Sequence, residues 1–223
     1  MTAPSFAPLG FAPPSPDCPL CPRLAGFRAT QRAAHPDWFN APVPPFGADT
    51  AELLIVGLAP GLRGANRTGR PFTGDYAGDL LYATLRKFGL ARGKYAGHIS
   101  DGLVLDRARI TNAVRCVPPQ NKPETVEIAA CRSFLAAELA ALPKLRAVLA
   151  LGAIAHHAVL AAKGLRRAAY PFTHGALHEL PDGMLLADSY HCSRLNTNTG
   201  TLTPEMFEAV LAALTERLSL APA

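Results

Sequence analysis

Four times along this 223-residue chain a short apolar run is followed by a longer stretch with apolar residues at helical spacing. The runs are Glu52–Gly57, Arg109–Val114, Arg146–Leu151 and Met184–Ser189; the stretches are Asp75–Phe88, Glu124–Leu142, Ala153–Ala162 and Pro204–Leu218. In the first stretch Tyr76, Leu80, Leu81, Thr84, Leu85 and Phe88 fall at the spacing of a helix. Four strand–helix units imply a three-layer α/β/α fold around a mostly parallel four-stranded sheet, the arrangement in which helices cover both faces of the strands. Such sheets bind ligands beyond the carboxyl ends of their strands, so chemistry is expected in the loops that follow them. Residues 1–50 hold many of the 21 prolines and no sustained period, and they read as an irregular arm rather than helix or sheet. The length suits one domain over residues 1–223.

With 49% apolar and 17% charged residues the chain is not a disordered one, and its longest apolar run, Ala147–Ala155, is too short to span a bilayer. The first 22 residues contain no Lys or Arg, so the basic start of a secretory signal is missing and a cytoplasmic location is expected, with no membrane partner. Net charge is +5, and 17 of the 22 basic side chains are arginine, whose planar fork suits phosphate. A polyanionic partner fits, although coding by a GC-rich genome gives the same bias.

Five cysteines in a reducing compartment point to metal binding or catalysis rather than to disulfides. Cys18 and Cys21 form a C-x-x-C pair in the arm, Cys116 follows the second strand run, and Cys131 lies 15 residues further on in the next helix. A C-x-x-C pair opens both zinc and iron–sulfur sites, because two intervening residues let both sulfurs meet one centre. The wide separation of Cys116 and Cys131 departs from the second close pair usual in zinc knuckles. Either metal would fasten the arm to the sheet. Cys192 reads as a small packing residue.

The first strand runs into Gly57-Leu58-Ala59-Pro60-Gly61, where the backbone can turn sharply and approach a flat ligand. It lacks the Lys-Ser/Thr of a phosphate loop and is not a dinucleotide fingerprint. Read alone, Phe72 is a core aromatic and Asn112 a strand-end cap. Taken in order, however, the GLAPG loop, Arg70-Pro71-Phe72-Thr73-Gly74, Ile110-Thr111-Asn112-Ala113-Val114 running into Arg115-Cys116, and Tyr190-His191-Cys192-Ser193-Arg194 resemble the uracil-DNA glycosylase superfamily. The four cysteines resemble its iron–sulfur families, 4 and 5. Leu58 stands where the family 4 pattern has an acidic residue, and HCSRLNTNTG replaces the proline-containing HPS form, so the resemblance is to family 5.

The resemblance implies a monomeric, monofunctional base-excision repair enzyme that hydrolyses the N-glycosidic bond of flipped-out uracil in DNA and leaves an abasic site. Cys18, Cys21, Cys116 and Cys131 would hold a structural [4Fe-4S] cluster. Phe72 would stack on the base, the Gly57–Gly61 loop would wall its pocket, and Asn112 would pair with its edge. His191 would donate to the base oxygen as charge develops there. Leu58 cannot activate water, which leaves Asn121 to orient it and Asp75 to supply charge, either as base or by stabilising the cationic sugar; Asp75 at a helix start also reads as a cap. Loss of an acidic side chain at 58 also enlarges the pocket, so other deaminated bases such as hypoxanthine are expected substrates. Arg63, Arg67 and Arg70 in the glycine-rich loop, and Ser193, Arg194, Leu195 and Asn196 in a loop entering the minor groove, would contact DNA, with either Arg194 or Leu195 as the wedge that fills the gap left by the base. The rival from a different class is a non-catalytic, zinc-bearing nucleic-acid-binding module. It uses the cysteines and the charge but gives Asn112, Asn121 and His191 no task.

Overall fold

Each of the four apolar runs becomes a five-residue strand with every residue buried. These are β2 (Leu53–Gly57), β5 (Ala108–Asn112), β6 (Ala147–Leu151) and β8 (Leu185–Ser189) in the computed structural model, which describes residues 11–219. The other elements, numbered in chain order, are α1 (Pro22–Ala34), β1 (Phe46–Gly47), α2 (Ala65–Thr68), α3 (Tyr76–Lys87), β3 (Ala91–Arg92), β4 (Val104–Leu105), α4 (Thr125–Ala141), α5 (Ala153–Ala162), β7 (Leu177–Glu179), α6 (Arg194–Asn198) and α7 (Pro204–Leu218).

The sheet order is β1-β5-β2-β6-β8-β7. Its four middle strands are parallel, as expected, with Leu53 opposite Ala108 on one side and Ala147 on the other. Two short strands missing from the sequence reading add antiparallel edges, β1 on β5 and β7 on β8. Because successive side chains leave a strand on opposite faces, Leu53 and Ile55 pack with Leu81, Leu85, Phe207 and Leu211 of α3 and α7. Leu54 and Val56 pack with Leu135, Leu139, Ala155 and Val159 of α4 and α5 on the other face. Each such aliphatic side chain contributes about 1.5–3 kcal/mol by leaving water. No helix among the described residues is long and apolar enough to cross a membrane.

The arm corrects one expectation. Far from being wholly irregular, it contains the 13-residue helix α1 and the edge strand β1. Pro22 opens α1 at a position where its missing N–H costs nothing. The buried face of α1 is Leu24, Arg28 and Gln31, so two of its three inward residues are polar and no apolar period betrays the helix. The first ten residues of the arm lie outside the described ones.

Polar ties hold the rest of the arm in place. Asn66 donates to the side-chain oxygen of Asn40 at 2.9 Å, and the Val43 N–H donates to the Arg115 carbonyl at 2.7 Å. Glu138 of α4 accepts from Arg109 at 2.7 Å and from Arg115 at 2.5 Å, all three side chains being buried. This fixes the start of the Cys116 segment against the helix that carries Cys131.

Candidate active site

The carboxyl ends of β2, β5 and β8 open into one cleft of about 670 Å³, within the size range of a small-molecule site. The cleft is lined by Leu58, Ala59, Pro60 and Gly61 after β2, Asn112 at the end of β5, and His191 after β8. Phe72, Asp75, Asn121, Arg63, Ser193 and Arg194 complete the set drawn from the sequence. Gly57 does not line it but makes it possible, since a Cβ there would come within 2.6 Å of the Phe72 ring and 2.5 Å of Asn112 Oδ1.

Asn112 is 3% exposed, and its Oδ1 is buried without a hydrogen-bond partner. An orphaned buried acceptor costs about 1–3 kcal/mol, so it calls for a ligand that donates to it. Phe72 lies beside it, with its ring 5.8 Å from that of His191. Burial pushes the His191 imidazole down to about 4, so it stays neutral at physiological pH. No residue bonds to its ring among the described ones, whereas its backbone carbonyl accepts from Asn196 Nδ2 at 2.8 Å.

Asp75 both caps a helix, as expected, and lines the cleft. One oxygen caps α3 by accepting from the Gly78 N–H at 3.3 Å. The other lies against the backbone of Gly61 and Gly64, where a Cβ on either residue would crowd it. Burial raises its carboxyl above the usual carboxylate range, opposed by the N–H groups of Gly78 and Ala77. Asn121 is exposed at the cleft edge with φ 58, next to Gln120 with φ 56, a left-handed pair that only asparagine, aspartate and glycine enter cheaply. The stretch Pro118–Pro123 thus presents the Asn121 amide to the cleft by a strained turn.

The residues expected to contact DNA divide. Arg63 and Arg67 are exposed, and Leu195 is 71% exposed. Arg194 lies 5.2 Å above the ring of Tyr76, a cleft residue the sequence reading passed over although it adjoins Asp75. Residues 194–198 form the short helix α6 where a loop was expected, with Ser193 as its cap accepting from the Asn196 N–H. Asn196 is therefore engaged in holding its own turn. Arg70 is not a phosphate contact. It is 3% exposed and forms a two-pronged ion pair with Asp101 at 2.8 and 2.7 Å. Their separation of 31 residues hid that partner from sequence reasoning.

Cys18, Cys21, Cys116 and Cys131 converge on one small cavity with Leu24, Val114 and Phe134. Arg28 donates to Cys116 Sγ at 3.3 Å and to the Cys18 carbonyl at 3.0 Å, placing a cation beside the sulfurs. A single zinc holds four sulfurs about 3.8 Å apart, given its bond length of about 2.3 Å. Among the described residues the one group of three donors within 4.8 Å of one another is His156, His178 and Asp188, so no three cysteines approach that closely. That spacing is wider than the one a single zinc imposes on its sulfurs. Cys192 is fully buried in the main core, as a packing residue should be.

A model of the uracil DNA glycosylase superfamily matches residues 44–215. The chain is 50% identical over 200 residues to a type-5 uracil-DNA glycosylase of Thermus thermophilus, covering 87% of this chain and 90% of that one. It is 42% identical over 199 residues to the type-5 uracil-DNA glycosylase of Pyrobaculum aerophilum, covering 87% and 86%. The type-4 enzyme of the same organism matches less, at 36% over 125 residues and 56% of each chain. The motifs, the parallel sheet with its cleft and these matches agree: the chain belongs to the uracil-DNA glycosylase superfamily, on its type-5 branch.

Proposed function

We propose that this protein removes uracil, and other deaminated bases, from DNA by hydrolysing the N-glycosidic bond of a nucleotide turned out of the helix. The observation that carries this is Asn112, whose acceptor is buried and unpartnered in the cleft beside a flat aromatic ring and a neutral imidazole. Its amide offers one acceptor and one donor to the Watson–Crick edge of a base, while Phe72 offers a face. As the bond breaks, negative charge grows on the base and positive charge on the sugar. His191, held neutral by burial, donates an N–H toward the base oxygen without first losing a proton. Asn121 orients the attacking water, and Asp75 accepts its proton or faces the cationic sugar. Leu58 lines the cleft but offers no polar group, and its apolar side chain leaves room for a larger deaminated base.

Arg63, Arg67 and Ser193 are assigned to phosphates, and the exposed Leu195 to the gap in the base stack, because Arg194 is already engaged with Tyr76. Cys18, Cys21, Cys116 and Cys131 would hold a [4Fe-4S] cluster, which fastens the arm to α4 and β5 and takes no part in the chemistry.

Duplexes carrying uracil, hypoxanthine or xanthine, incubated with the purified protein and then treated with alkali, should be cut at the damaged base. Absence of cutting at uracil overturns the reading, and cutting at uracil alone overturns the wider substrate range. The same preparation should be brown with about four irons per chain; colourless protein with one zinc contradicts the cluster.

A further inference from the structure

Phe72 occupies a conformation that an aromatic residue adopts rarely. Its φ is +52 while the residue is 6% exposed, and the left-handed region forces Cβ against the backbone of an L residue. Gly57 leaves space for the ring, and Gly78 for the carbonyl, which a Cβ at 78 would overlap. Space alone does not keep a strained turn in place. Something must make the relaxed turn worse.

Two tyrosine hydroxyls grip the backbone on both sides of Phe72. Tyr82 of α3 donates to the Pro71 carbonyl at 2.6 Å. Tyr95 donates to the Phe72 carbonyl at 3.2 Å and accepts from the Gly74 N–H at 3.3 Å. The two rings pack at 4.7 Å. The residue that opens the turn, Arg70, donates to Thr73 Oγ1 at 2.7 Å and forms its buried ion pair with Asp101. Its guanidinium lies 5.1, 5.7 and 5.9 Å from the rings of Phe46, Tyr82 and Tyr95. Asp101 in turn accepts from the N–H groups of Ala96 and Leu103 at 2.9 and 3.1 Å, which orders its own loop.

Tyr95 and Asp101 both belong to the loop joining β3 to β4, a hairpin of two-residue strands that contributes no side chain to the cleft. Their bonds converge on residues 70–74, the segment that carries the Phe72 ring.

We propose that Tyr95 and Asp101 are positioning residues for base recognition: the β3–β4 hairpin is a clasp that, through Arg70 and Tyr82, holds Phe72 in its left-handed turn with the ring set to stack on the extruded base. The inference rests on the reading of Phe72 as the stacking residue. It gives the hairpin a task beyond packing, because the Tyr95 hydroxyl and the Asp101 carboxylate both reach this one strained turn.

The test is a double-mutant cycle between Tyr95→Phe, which removes the hydroxyl and keeps the ring, and Phe72→Leu, which keeps apolar bulk and removes the flat face. The full-length protein is titrated with a duplex carrying uncleavable 2′-fluoro-2′-deoxyuridine and with its undamaged counterpart, so no turnover is needed. Tyr95→Phe should lower the preference for the modified duplex on the order of 10-fold, as for neighbours that share a partner. In the Phe72→Leu background the same change should cost less than about 2-fold. Asp101→Asn should follow the same pattern. Equal losses in both backgrounds, or a silent Tyr95→Phe where Phe72→Leu alone is impaired, overturn the clasp and leave the stacking role standing. An unimpaired Phe72→Leu overturns the stacking role and the clasp with it.

Discussion

Two polar clusters, one between α5, β7 and β8 and the other in the cleft beyond β5 and β8, are built to different plans. Around α5, His156 uses both ring nitrogens, with Nδ1 2.7 Å from Asp188 Oδ1 and Nε2 2.8 Å from the Tyr170 carbonyl. The second oxygen of Asp188 lies 3.4 Å from His178 Nε2 without a hydrogen bond between them. In the cleft, His191 has no ring partner among the described residues and Asn112 keeps a bare acceptor. One imidazole is bonded on both sides and the other is merely desolvated. The contrast lies in the two imidazoles: the protein bonds His156 on both sides and so fixes it in place, whereas it leaves the His191 ring without a hydrogen bond among the described residues at the wall of a cleft, open to a ligand. The partners of His156, which stands in a His-His pair, lie 14 and 32 residues away and do not show in the local sequence.

The contrast can be broken by truncating each side. His156→Ala leaves the Asp188 carboxylate buried without its main partner and should cost about 3–5 kcal/mol of stability, read as a lower denaturation midpoint. The protein that remains folded should excise uracil at nearly the normal rate. A stable variant, or a folded but inactive one, would blur the distinction.

Asp75→Asn keeps the size and the helix cap and should slow single-turnover excision about 10²-fold. The pH profile sharpens this. Burial raises the Asp75 carboxyl, so it takes up its proton at a higher pH than an ordinary carboxylate, while His191, pushed down to about 4, stays neutral throughout that range. Wild-type activity should therefore fall on the acid side with an apparent midpoint above the usual carboxylate range. That limb should vanish in Asp75→Asn; its survival would assign the acid limb elsewhere.

A smaller effect is expected at the cleft edge. Asn121 has no proton to accept or release, so Asn121→Ala should cost about 10-fold on uracil, below the full range of a general base. The loss should shrink on bases that leave more easily. Near-normal excision by both Asn121→Ala and Asp75→Asn would show that neither handles the water.

Much of this was legible in the chain because apolar periodicity and parallel-sheet logic act locally. The bounds of α5 and α7 match the sequence reading, and each core strand starts or ends within two residues of it. The cleft followed from the rule that ligands gather beyond strand ends. What stayed hidden depends on partners distant in sequence or on faces without an apolar pattern. The inward face of α1 carries Arg28 and Gln31, β3 and β4 are two residues each, and Asp101 turns Arg70 from a surface cation into a buried anchor. Tyr76 was missed for a different reason: it fits the helical period of α3 so well that its position at the cleft mouth went unread.

The central claim is that the cleft cluster around Asn112 and His191 performs the reaction, and His191→Ala tests it most directly. Single-turnover excision from a uracil duplex should fall by roughly 10²–10³, the usual loss for one donor at a developing anion, while the denaturation midpoint and duplex affinity stay close to wild type. A variant that excises uracil at the wild-type rate, or whose loss of rate is matched by loss of fold, would contradict the account.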